Sequence, residues 1–342
     1  MRETSGLSFR ILRDEASLVA IQAEWEDLFR RAAVRTPFLR YTWAQLSWHR
    51  QRLDQTVTPF IVLVRDGGRL VVIAPLVARR SRYFFLNLSF LHSLTAQYSD
   101  VLVEDSARTP EYISYLWATI CKLRYVRRLR FDQIRDDSLL TPHLVGSRIR
   151  VKETDPAPFI DLVQFGDWDT FFRSLSKKLR TDHRRQIRHL EGLGALKLRL
   201  ATDETLFADI TWLFAAKRQW LKRTQLVSDW LSAPGTEQLF AAAAAEGLDS
   251  GRTWLTVLTL NGTTIAANLS FREDRTLFVS KIAYDFEWQL YSPGRTLTLL
   301  TLERAFKEGL MKCDLMLGEG WKRTIAKERV GVANKTVKFH FL

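Results

Sequence analysis

The apolar positions along this chain change period repeatedly, and each change marks an element. A short strand-like run at Ser8–Arg13 gives way, after Asp14 and Glu15, to Leu18, Ile21, Trp25, Leu28 and Phe29 at helical spacing. Thr36-Pro37-Phe38 breaks that helix, and Trp43, Leu46 and Trp48 mark the next one. Pro59–Arg65 and Arg69–Arg79 are β-rich runs on either side of Asp66-Gly67-Gly68, the pattern of a hairpin. Strand-like pieces follow at Tyr83–Leu91 and Tyr98–Val103, then a helix from about Pro110 to Leu123 and a strand at Arg127–Gln133. Asp136–Arg150 reads as helix or loop.

Asp155-Pro156-Ala157-Pro158 is the sharpest boundary signal, because residues before proline are pushed out of helical geometry. It predicts one domain over 1–154 and a second over 155–342. Past it the order of elements recurs: a strand at Phe159–Val163, helices at Phe171–Leu193, Leu206–Lys222 and about Thr236–Glu246, then a three-strand meander from Arg252 to Tyr284 turning at Asn261-Gly262. A helix over Pro293–Glu308, a strand around Cys313–Leu317 and a final strand pair complete it. Two copies of one α/β unit is the economical architecture.

Composition narrows the function classes. At 342 residues, with 46% apolar and 26% charged, the chain is an ordinary globular one. Cys121 and Cys313 are too few for a disulfide framework and lack zinc-ligand spacing, so neither disulfides nor a metal is expected. The charged N-terminus has no signal-peptide core, and the apolar runs are strand-length, which points to a cytoplasmic protein. The net charge of +13 favours anionic partners: a nucleotide-bearing cofactor, RNA, DNA or an acidic membrane surface. The six histidines show no ligand spacing, and no P-loop, dinucleotide fingerprint or serine-hydrolase elbow is present.

The chemistry-bearing stretch is Tyr284 to Lys322. Ser292 reads as a helix N-cap, Pro293 suits the first helical position, Gly294 admits a close backbone approach, and Arg295 and Thr296 complete a first turn suited to an anion. The alternative is a well-capped structural helix. Asp285 closes the preceding strand, as a base or a turn residue. On the helix Ser176–Leu190, Lys177, Arg180, Arg184 and Arg188 share a face, either to grip an anion or as a solvated surface.

Gln289-Leu290-Tyr291-Ser292-Pro293-Gly294 resembles the Q/R-x-x-G-x-G/A loop of GNAT acyltransferases, with Ser292 where the pattern has its first glycine. Tyr284-Asp285, Ser292-Pro293-Gly294, Ala305, Gly309, Asp314 and Gly318, the arginine helix, and Trp25, Pro37-Phe38, Trp43 and Trp48 resemble the cellulose-biosynthesis-associated (CelD/BcsL-like) acetyltransferases, relatives of the Fem-type aminoacyltransferases. Trp321-Lys322 stands where that family has Tyr-Lys. The resemblance implies tandem GNAT-like domains, each a mixed, mostly antiparallel sheet flanked by helices, with the site in the second. It implies acetyl-CoA or another acyl-CoA as donor, held by Gln289, Ser292, Pro293, Gly294, Arg295 and Thr296, and no metal. Asp285, Tyr284, Asp314 and Lys322 are the implied catalytic set, and Arg180, Arg184, Arg188 and Trp321 the substrate-binding set. The implied acceptor is an amine on a small-molecule or lipid-linked sugar, cell-envelope or exopolysaccharide precursor, with peripheral association at an anionic membrane surface. A tRNA donor is the alternative enzyme reading, and a non-catalytic module for an anionic polymer the other; DNA is not expected.

Overall fold

The computed structural model describes residues 6–81, 85–93, 95–146, 149–154, 156–318 and 320–338. Tyr83, where the sequence starts a strand, and Asp155, which opens the boundary signal, lie outside this set. The chain forms two compact units, one within Met1–Thr154 and Gly331–Leu342, the other within Asp155–Val330.

The first unit is built on strands β1 (Leu7–Leu12), β2 (Val57–Asp66), β3 (Arg69–Arg80), β4 (Leu86–Phe90), β5 (Leu102–Val103), β6 (Val126–Arg135) and β7 (Ile149–Glu153). Its helices are α1 (Glu15–Ala20), α2 (Gln22–Arg30), α3 (Tyr41–Gln51) and α4 (Thr109–Lys122). β2 carries an unbroken apolar run because both faces of the sheet are covered. Phe60, Val62 and Val64 pack with Tyr112, Ile113 and Leu116 of α4. Ile61 and Leu63 pack on the other side with Leu18, Trp25 and Leu28 of α1 and α2.

The second unit contains β8 (Ala157–Asp161), α5 (Trp168–Ser174), α6 (Lys177–Leu193), β9 (Leu196–Leu200), α7 (Asp203–Thr224), α8 (Asp229–Ser232) and α9 (Thr236–Leu248). It continues with β10 (Thr253–Leu260), β11 (Thr263–Glu273), β12 (Thr276–Tyr284), α10 (Pro293–Lys307), β13 (Lys312–Asp314) and β14 (Glu328–Val330). The sheet order is β14-β8-β13-β12-β11-β10-β9. Only β12 and β13 run parallel; the other neighbours are antiparallel. α10 packs on one face of the sheet, and α7 and α9 cover β10–β12 from the other. The long helix expected over Phe171–Leu193 is broken between α5 and α6, where Leu175 is extended and Ser176 caps α6 by accepting from the Leu179 N–H.

The predicted end of the second domain at 342 is corrected. The last strand, β15 (Val332–Lys338), belongs to the first sheet, whose order is β1-β2-β3-β4-β6-β15-β7 with β5 also on β3. β15 pairs Ala333 with Ile134 of β6 and with Glu153 of β7, so it is the only strand joining β7 to the rest of that sheet among the described residues. Non-local pairing of this kind has no local signal in the sequence. Deleting residues 331–342 should therefore open β6 and free β7, and limited proteolysis should cut first within Val126–Glu153 while 156–330 stays resistant; earlier loss of 156–330 would contradict the assignment.

Candidate functional site

The opening in the second sheet is created by two coincident irregularities in β12. Its parallel pairing with β13 covers only Thr276↔Lys312, Leu277↔Cys313 and Phe278↔Asp314. Immediately afterwards its register with β11 slips, from Val279↔Ser270 to Lys281↔Leu269, so Ser280 is a bulged residue. From there to Tyr284 the edge of β12 away from β11 has no strand partner among the described residues. The Asp285 N–H donates to Ile265 O on β11, at 2.9 Å. By alternation the main-chain groups of Ile282 and Tyr284 then face the open edge.

The opposite wall is the bend that follows β13. Asp314 is fully buried and its Oδ1 accepts from the Met316 N–H at 2.8 Å. Lys322 Nζ donates to Leu315 O at 2.6 Å and Leu317 O at 2.7 Å. Met316 has a left-handed φ of 60°. Asp314 and Lys322 thus hold a strained turn from both sides, a positioning job for two residues of the predicted catalytic set. Half-buried Trp321, from the predicted substrate-binding set, packs against the core containing Leu315 and Ile325.

The first turn of α10 lies against the end of β12. A Cβ on Gly294 would stand 3.2 Å from Tyr284 Cδ1 and 3.6 Å from Ile282 Cγ2, so this glycine lets the helix seat on the strand. α10 is anchored by buried polar contacts: Thr301 Oγ1 with Thr256 Oγ1 at 3.1 Å, Asn268 Nδ2 to Thr301 Oγ1 at 3.4 Å, and Ser270 Oγ to Asn268 Oδ1 at 3.0 Å. The expectation that Ser292 caps the helix is corrected. Ser292 is left-handed at φ 47° and its side chain makes no cap bond; the turn Phe286–Tyr291 delivers the chain to it in that conformation. Its carbonyl takes the Thr296 N–H at 3.0 Å, and no side chain caps the N–H groups of Gly294 and Arg295. The Thr296 hydroxyl is buried and has no partner. Gln289 is exposed.

Asp285 is half-buried and its Oδ1 accepts from the Glu287 N–H at 3.1 Å, capping the short turn. Tyr284 packs at the margin of a core with Leu297, Trp288 and Tyr291.

The arginine helix lies on the α10 side: α6 packs against α10 and against the Phe286–Tyr291 turn. Its inward stripe is Leu179, His183, Gln186 and Leu190. His183 stacks edge-on against Phe172, its Nδ1 is unpartnered, and burial pushes its pKa down to about 4; Arg295 and Arg184 push the same way against Glu303. Arg184 lies over the Phe172 ring at 5.3 Å, Arg188 is exposed, and Arg180 is half-buried with an unpartnered Nε. The arginine helix thus packs on α10, where Arg184 and Arg295 both act on His183.

Two lysines absent from the sequence-based set stand on the α7–α9 side of β12. Lys217 Nζ donates to Ile282 O on the open edge at 3.2 Å. Lys281 is buried between the rings of Trp230 and Phe240, at 4.5 and 4.8 Å. The signal was available: Lys217 falls on the apolar stripe Leu206, Ile210, Leu213, Phe214 of α7, and Lys281 interrupts an apolar strand. Beyond them, α7, the 226–235 segment and α9 line a cavity of about 560 Å³.

Residues 177–323 match the family model described as an acetyltransferase (GNAT) domain. No curated protein matches the chain. Among solved structures, FemX superposes with a TM-score of 0.61 at 9% identity, over 93% of this chain and 96% of that one. The C-terminal domain of a putative lysylphosphatidylglycerol synthetase from Agrobacterium fabrum gives 0.58 at 10% identity, over 94% and 92%. A tandem GNAT protein from the clavulanic acid biosynthesis pathway gives 0.50 at 13%, over 97% and 98%. The chain thus has a mixed α/β fold of tandem GNAT-like units, and the opening beside α10 lies in the segment that matches the GNAT acetyltransferase model. Among the described residues, no helix is long and apolar enough to cross a membrane, and no cluster of His, Cys, Asp and Glu is arranged to hold a metal.

Ser292 occupies the conformation that a glycine takes without strain, which accounts for its standing at the loop's first glycine position. Ser292→Gly should raise stability by up to about 1 kcal/mol in denaturant unfolding, because a left-handed serine carries a steric cost of that order. A loss of stability would show that the hydroxyl holds the loop.

Proposed function

We propose that the second unit is an N-acyltransferase whose donor lies in the β12–β13 opening with its phosphates at the first turn of α10. The observation that carries this reading is the uncapped start of α10, with unpaired first-turn N–H groups, Arg295 and an orphaned buried Thr296 hydroxyl beside an open strand edge. An acyl-coenzyme A fits that cradle, acetyl-CoA first, and would supply the activated thioester. Gly294 and Arg295 N–H groups, the Arg295 and Thr296 side chains, and Gln289 and Ser292 on the approach would hold its pyrophosphate, with Pro293 setting the helix start. The arginines of α6 add positive potential at that end.

In this reading the Ile282 or Tyr284 N–H stabilises the oxyanion that develops on the acyl carbonyl. Asp285 accepts the amine proton directly or through water, and Tyr284 or Tyr291 returns a proton to the leaving thiolate. Asp314 and Lys322 hold the far wall. The acceptor is an amine of a sugar or cell-envelope precursor, the class implied by the resemblance to the cellulose-biosynthesis-associated acetyltransferases. The exposed arginines of α6 favour one alternative, an aminoacyl-tRNA donor.

Calorimetric titration with acetyl-CoA tests the donor site. Arg295→Glu should weaken binding at least tenfold with an unchanged melting temperature, since a charge-assisted contact contributes about 1.5–3 kcal/mol. No acetyl-CoA binding, with tight tRNA binding that falls steeply with salt, would replace this reading by the tRNA-dependent one. Asp285→Asn keeps an oxygen for the Glu287 cap, so stability should hold while kcat falls by roughly 10²–10⁴. An unchanged kcat would remove Asp285 from the proton path.

A further inference from the structure

Lys217 and Lys281 are two inward-turned amino groups with no acidic partner among the described residues. None of the ion pairs among the described residues includes either lysine. Asp209 on α7 and Glu237 on α9 are committed elsewhere, to Arg199 and Arg218, each at 2.6 Å. The Ser280 bulge is what turns Lys281 this way: Leu277 and Val279 join the core that holds Leu299 and Leu302 of α10, whereas Lys281 meets Trp230 and Phe240 on the other face. Lys217 reaches the same segment from α7, at the Ile282 carbonyl. Burying like charges together without an acid is costly. The cost shows in their titration. Burial lowers Lys217 to about 8, and burial followed by repulsion from Lys217 and Lys322 holds Lys281 well below the usual lysine range.

We propose that Lys217 and Lys281 are the receptor for one oxyanionic group of the acceptor, a phosphate or a carboxylate, on the face of β12 opposite α10. The role as acceptor site rests on the acyltransferase reading; the anion site itself does not. The open edge of β12 stands between the two faces, so an acceptor anchored by its acid group on the α7–α9 side presents its amine to the edge that carries the Ile282 and Tyr284 main-chain groups. A neutral amine lacking such a group would gain nothing from the lysines, which makes them a selector for acidic acceptors.

The test titrates inorganic phosphate, and separately acetate, into the wild-type chain and into Lys217→Met and Lys281→Met. The expected result is saturable binding in the wild type that weakens at least tenfold in each variant. Without anion, Lys281→Met should melt above the wild type, because an apolar side chain of similar length replaces a buried amino group that has no acidic partner, and saturating anion should close that gap. Tighter phosphate binding assigns a phosphorylated acceptor; tighter acetate binding assigns a carboxylate. Anion affinity unchanged in the variants, or a Lys281→Met chain that melts lower without anion, would overturn the proposal and make Lys281 a clamp between the two rings. Arg295→Glu serves as the control, since it should keep the lysine-dependent phosphate signal. If acetyl-CoA fails to bind the wild type while that signal persists, the donor reading falls and the anion receptor stands.

Discussion

Main-chain hydrogen-bonding groups at the edge of a buried strand must find partners, and β12 is where this chain leaves that demand unmet by another strand. Three residue pairs tie β12 to β13, the Ser280 bulge follows at once, and the two strands part. Much of the rest of the unit answers to that parting. Lys217 takes one exposed carbonyl on β12, and Lys322 gathers carbonyls on the other wall. The Ile282 N–H and the Tyr284 main-chain groups are the ones that the proposed donor would engage.

The position of α10 depends on the same strand. Its threonines are buried, an unusual choice for a helix face, and one of them, Thr301, joins Thr256, Asn268 and Ser270 in a polar seam between helix and sheet. A greasy interface would tolerate sliding, whereas a hydrogen-bonded one fixes rotation and rise. The seam, together with the missing Cβ at Gly294, sets the first turn at the mouth of the opening. Left-handed Ser292 then leaves the turn's N–H groups unclaimed, since a side chain in that backbone conformation does not fold back to cap them.

How much of this could be read beforehand depended on how local the cause was. The meander, α10 and β13 were legible because Asn261-Gly262, Ser292-Pro293-Gly294 and Gly309 punctuate periodic apolar runs. The Ser292 conformation was not, because serine after a helical turn reads equally well as a cap. The arginine stripe of α6 was visible, but the seating of that helix on α10 needed the tertiary packing. Lys217 and Lys281 stood in the sequence as breaks in apolar patterns, but their meaning was tertiary: a lysine on an apolar stripe looks like a snorkelling side chain until both sides of it are covered. Asp314 and Lys322 stood out as candidates for chemistry, and the structure gives both a hydrogen-bonded post on the Met316 bend.

The seating of β15 between β6 and β7 gives the chain an order of assembly. Ile134 and Glu153 meet across a strand that begins at Val332, almost two hundred residues after β6. During synthesis from the N-terminus, everything needed for the second unit's sheet emerges before the first unit's sheet can be finished. β6 and β7 therefore wait with exposed pairing edges while β8–β14 take shape, and the first-begun half of the molecule is completed last. The time taken to synthesise the second unit thus sets how long an aggregation-prone edge stays open.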